Sequence, residues 1–82
     1  MTRLLQPPAL LRVREDAAGL PLTIELAGRT CAIEVIEQWR ISEPWWPEPI
    51  DREYLRVMGP GWVALIFRDR IRGGWFLERI VD

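Results

Sequence analysis

Apolar and polar residues alternate along most of this chain, and the alternation predicts strands. In ALLRVRED (9–16), Leu11 and Val13 face one way and Arg12 and Arg14 the other. In LPLTIELAG (20–28), Leu22, Ile24 and Leu26 alternate with Thr23 and Glu25, and the intervening DAAG reads as a turn, so the two runs form a hairpin. After the AGR turn, RTCAIEVIEQWRI (29–41) alternates Cys31, Ile33 and Val35 against Ala32 and Glu34 before Ile36 and Trp39 break the parity. A β-bulge near Glu37 accounts for that slip. A helix over Ala32–Arg40 competes, since Ile33 and Ile36 have helical spacing. The β-branched run Thr30, Ile33, Val35, Ile36 favours the strand.

The segment SEPWWPEPID (42–51) interrupts the pattern. Pro44, Pro47 and Pro49 fix φ, remove amide donors and push the residues before them toward extended backbone, so an extended loop is expected. REYLRVMG (52–59) resumes the alternation, with Tyr54, Arg56 and Met58 on one face and Leu55 and Val57 on the other. Gly59–Gly61 turns the chain into WVALIFRDR (62–70), which is apolar on both faces and therefore expected at the centre of a sheet. RGG turns it again into WFLERIVD (75–82).

The expected architecture is all-β: a small antiparallel six-stranded meander rolled into a barrel-like or half-barrel domain spanning residues 9–82. Residues 1–8, ending in Pro7-Pro8, read as a flexible N-terminal arm.

Composition narrows what such a domain can do. Eighty-two residues make one domain, and 49% apolar residues suffice for a core. No apolar run approaches the roughly 20 residues of a membrane span, and the start MTRLLQPPALL lacks the pattern of a signal peptide, so the cytoplasm is the expected compartment. The chain has no histidine, no lysine and no asparagine, and a single serine, Ser42. A Ser-His or Cys-His nucleophile pair cannot be assembled, Schiff-base chemistry has no amine, and zinc has one thiolate, Cys31, which reads as a small hydrophobe within a strand. Glu43, Glu48 and Asp51 crowd the proline loop but read as a solvated face. No catalytic residue, metal site or cofactor is expected, and the chain is read as no enzyme.

Five tryptophans remain to be explained. Large rings bury about 150–250 Å² each, and Trp39, Trp62 and Trp75 lie in predicted strands as core residues. Trp45 and Trp46 are adjacent in extended backbone, so their rings point in opposite directions and one is expected in solvent as an anchor for a protein partner. Candidate partner-binding residues are Trp45, Trp46, Pro47, Arg52 and Tyr54. The alternative is a single-stranded nucleic-acid surface built from Arg56, Arg68, Arg70 and Arg72 with nearby rings. A net charge of −1, with acids interleaved among the arginines, makes DNA the less favoured partner. An unpaired strand edge would favour a homodimer.

The spacing W-x-I-x-E-x-W-W (39–46), I-x-R-x-Y (50–54), F-R-D (67–69) and G-W-F-L-E-R-I-V-D (74–82), with RVRED-x-x-G-L-P-L-x-I upstream, resembles the C-terminal region of ImuB-like proteins. These are Y-family DNA polymerase homologues of bacterial mutagenesis cassettes. The chain also resembles small free-standing bacterial proteins of unknown function sharing that region. The resemblance implies an accessory or docking role in a translesion-repair assembly, with a Y-family polymerase-like or recombinase-like partner. It carries over no catalytic residue. The acidic PEPID (47–51) departs from the more basic segment that the family would place there.

Overall fold

The computed structural model describes residues 2–45 and 47–81. Its strands are β1 (Thr2–Leu11), β2 (Val13–Glu15), β3 (Pro21–Leu26), β4 (Arg29–Ala32), β5 (Glu34–Glu43), β6 (Ile50–Gly59), β7 (Trp62–Asp69) and β8 (Trp75–Val81). The described residues contain no helix, and Ala32–Arg40 is strand apart from Ile33, as its β-branched residues predict. No helix is long and apolar enough to cross a membrane among them.

The strands form two antiparallel sheets, one of five in the order β1-β8-β7-β6-β5 and one of three in the order β2-β3-β4. This corrects the six-stranded single meander, and neither sheet closes into a barrel. Two of the expected strands each divide in two, because the chain passes from one sheet to the other inside them. β1 runs through Arg12 into β2, and β4 runs through Ile33 into β5. Both corners lean on β3: the Arg12 carbonyl accepts from the Glu25 amide at 3.0 Å, and the Ile33 amide donates to the Leu22 carbonyl at 3.1 Å. Strands that switch sheets at a bend build the corners of orthogonal packings.

Residues 2–8, expected as a loose arm, are part of β1, where Thr2, Arg3 and Leu4 pair with Val81, Ile80 and Arg79. The prolines do not end the strand, because an edge strand has one side with no ladder to lose. They disturb it, and the register shifts between Leu4 and Ala9. The central position expected for 62–70 is that of β7, and the bulge expected near Glu37 is the register shift between Val35 and Glu37 in the β5–β6 ladder.

Turn chemistry follows the residues. The β3–β4 hairpin has the two-residue loop Ala27-Gly28, with φ of 50° and 76°. Positive φ at both positions matches the twist of a two-residue hairpin, and Ala27 adopts it without glycine's freedom. Two longer loops are each organised by an aspartate. Asp16 Oδ1 accepts from the amides of Ala18 and Leu20, and Asp69 Oδ1 from those of Ile71 and Arg72.

The core lies between the sheets. Leu55 and Val57 of β6, Ala64 and Ile66 of β7, Trp75 and Leu77 of β8, Leu11 of β1 and Ile24 of β3 are all buried there. Trp62 packs against this cluster and Cys31 is half-buried beside it, while Trp39 lies on the opposite face.

Candidate functional site

The five-stranded sheet has a second face, and its side chains are laid out by register. Trp39 pairs with Tyr54, Tyr54 with Phe67, Phe67 with Phe76, and Phe76 with Leu10, so one straight row crosses all five strands. The aromatic members touch in sequence. Trp39 and Tyr54 stack with centroids 5.7 Å apart, Tyr54 and Phe67 are tilted at 5.2 Å, and Phe67 and Phe76 stack at 5.3 Å. Cross-strand aromatic pairs of this kind each contribute about 0.2–1 kcal/mol.

Guanidinium groups flank the row. Arg52 lies over the Phe67 ring at 4.5 Å and donates to the Tyr54 hydroxyl at 3.2 Å, and Arg56 lies 5.9 Å from the Trp39 ring. Arg52 therefore acts as a lid: Phe67 is 2% exposed although it is outside the core cluster. Tyr54, a candidate contact residue, is 8% exposed and serves the row instead. Its hydroxyl also lies 3.4 Å from Glu78 Oε1. The row was not legible as such. Its signal was the shared parity of Tyr54, Phe67 and Phe76 with their neighbours, which becomes a row only once the strand pairing is known.

Beyond the Glu43–Ile50 pair the β5–β6 hairpin opens into its proline loop. Trp45 stands there 74% exposed, between the exposed Pro44 and Pro47. Trp46, its expected counterpart, lies outside the described residues. Ile41, in the row beside Arg52, is also exposed, and Trp39 is half-buried one row further in. The hairpin thus presents an apolar flank leading to an indole at its tip.

The arginines proposed for nucleic acid do not form one stripe. Arg56 is paired with Glu37 on the outer face. Arg68 points to the opposite face, over the Trp75 ring at 4.5 Å, and bonds Glu15 at 2.9 Å and the Gly19 carbonyl. Arg70 stands near Asp51 and Glu53, at 4.0 and 3.9 Å, and Arg72 is exposed on the β7–β8 loop. Acids therefore hold three of the four within the fold, because the same alternation that exposes arginines places Glu and Asp beside them.

Of the loop acids, Asp51 is committed to Arg40, with Nε–Oδ1 at 2.9 Å and Nη2–Oδ2 at 2.7 Å. Hydrogen bonding by Arg40 holds the Asp51 carboxyl below the usual carboxylate range, and the same bond raises the Arg40 guanidinium. Among the described residues no cluster of acids or cysteine is placed to hold a metal ion. Compared with protein-family models, curated proteins and solved structures, the chain matches none.

Proposed function

We propose that this chain is a non-enzymatic protein-interaction module whose contact surface is the tip and outer flank of the β5–β6 hairpin. The observation that carries the reading is Trp45, an indole 74% exposed in a loop framed by prolines. Leaving so large an apolar ring in water forgoes its burial energy, and tryptophan is a favoured anchor at the centre of interfaces. The prolines restrict the loop before binding, which lowers the ordering cost on association. Ile41 and Trp39 extend the same apolar strip along β5. The partner suggested by the resemblance is a Y-family polymerase-like or recombinase-like protein in a translesion-repair assembly. A nucleic-acid surface is the weaker reading, because Phe67 lies beneath Arg52, Tyr54 is buried, and most of the candidate arginines already face acids.

The experiment compares the native chain with Trp45→Ala as bait and then as titrant of the captured protein. The expected result is a loss of about tenfold or more in affinity with an unchanged melting temperature. Equal affinity, or a variant that unfolds, removes the hairpin tip as the contact surface.

A further inference from the structure

Four strands end the two sheets of this fold, and their outer edges are not alike. β2 and β4 are three and four residues long. β1 has ten residues but contains Pro7 and Pro8, and its register is broken between Leu4 and Ala9. Short edges and prolines are the usual guards against pairing with another chain. β5 also has ten residues, with no proline among them, and it pairs with β6 in unbroken register from Glu37 to Glu43. It is the last strand of its sheet, so alternate backbone N–H and C=O groups over these residues point away from β6 with no strand beside them among the described residues.

We infer that β5 pairs antiparallel with β5 of a second copy, joining two five-stranded sheets across a two-fold axis. The register is limited by charge and geometry. A continuous sheet keeps the outer faces together, so residues of equal parity must meet, and a two-fold axis places one residue opposite itself. Centring on Arg40 sets that arginine against its own copy and Glu37 against Glu43 twice. Centring on Gln38 or Glu37 runs the ladder into the bulge at Ile36, and centring on Ile41 or Ser42 runs it toward Pro44. Centring on Trp39 gives the five pairs from Glu37 to Ile41 before the ladder reaches Ile36, as many as centring on Ile41 gives before Pro44, but it sets ring against ring where Ile41 would set Trp39 against Glu43. With Trp39 at the axis, Gln38 faces Arg40 of the second copy, Glu37 faces Ile41, and no like charges meet. The aromatic row, which ends on β5 at Trp39, continues through Trp39 of the second copy into the matching row. Pairing along this edge satisfies the open backbone groups and covers part of the exposed Ile41. The inference concerns the edge of β5: it shares Trp39 and Ile41 with the flank proposed above and leaves Trp45 at the hairpin tip outside the junction.

Gln38 is exposed, so changing it leaves the fold intact, and it occurs twice at the proposed junction. Sedimentation equilibrium over a concentration series tests the native chain, Gln38→Arg and Gln38→Glu, with circular dichroism to verify that each is folded. The native chain is expected to show a monomer–dimer equilibrium. Gln38→Arg sets two guanidiniums opposite two others and weakens the dimer by about tenfold, while Gln38→Glu sets two carboxylates opposite them and tightens it by a comparable factor. A native chain that stays monomeric throughout overturns the proposal. So does a dimer whose dissociation constant is the same in all three proteins.

Discussion

The indole of Trp62 lies across the backbone of Gly59, its partner in the β6–β7 ladder, in the space where a side chain at Gly59 would stand. The aromatic ring covers the glycine and reaches the core from there. Gly59→Ala forces the ring to move and is expected to lower stability by about 1–3 kcal/mol. The double variant Gly59→Ala, Trp62→Val should lose less than the sum of the two single changes, since the clash disappears with the ring. Urea unfolding of the four proteins measures the coupling.

Arg68 joins β7 to the β2–β3 turn, with which β7 shares no ladder. It stacks on Trp75 while bonding Glu15 and the Gly19 carbonyl across the β2–β3 turn. Arg68→Ala removes these bonds and the stacking, and a loss of about 2–3 kcal/mol is expected by denaturant unfolding. Arg68→Lys should recover little of it, because an ammonium lacks the planar, delocalised group that sits over the Trp75 ring while its Nη2 donates to both acceptors.

Phe67 and Trp45 contrast a packed aromatic ring with an exposed one. Phe67 is covered by Arg52 and flanked by Tyr54 and Phe76, so Phe67→Ala is expected to lose about 3–5 kcal/mol. Trp45→Ala touches no packed surface and should stay within about 0.5 kcal/mol of the native chain. Thermal unfolding of both variants draws the distinction.

Ala27 gives a stabilising change. Its φ of 50° suits Asn or Gly better than alanine. Ala27→Asn, which creates the Asn-Gly pair preferred in two-residue hairpins, should raise stability by roughly 0.5–1 kcal/mol in a melting experiment.

Asp51 sets a pH dependence. Its folded carboxyl titrates below its unfolded one because Arg40 hydrogen-bonds the ionised form. The unfolded chain therefore binds the proton first as pH falls, so the Asp51 contribution is complete above the ordinary carboxylate range and is lost below it. Asp51→Asn should flatten the acid side of the stability curve below about pH 4 and leave its slope near neutrality unchanged. Melting temperatures across that range provide the check.

The strands and turns were legible in the residues, and the corners between sheets were not. Leu11 and Val13 keep one parity through Arg12, and Cys31, Ile33 and Val35 keep one through Ile33, so the alternation runs straight past both bends. Parity reports which side of a strand meets the core, and it does not report which sheet the strand belongs to. At Pro7-Pro8 the local rule against strand was outweighed by an edge position that only tertiary pairing creates. At the site, adjacent indoles in a proline-framed stretch implied one exposed ring without telling which, and Trp45 is exposed. The burial of Tyr54 in the aromatic row was not legible, because its neighbours Trp39 and Phe67 are 15 and 13 positions away along the chain.

The pairing of β1 with β8 has a consequence for how the molecule is made. Residues 2–4 are bonded to residues 79–81, and the core needs Trp75 and Leu77 as well as Leu11. A ribosome delivers those two ends far apart in time, so the early segment must wait with its apolar side unsheltered until the late one emerges. Maturation is then a single late event rather than a stepwise one, with a rate set by a long-range closure, and the waiting nascent chain is the form in greatest need of a chaperone.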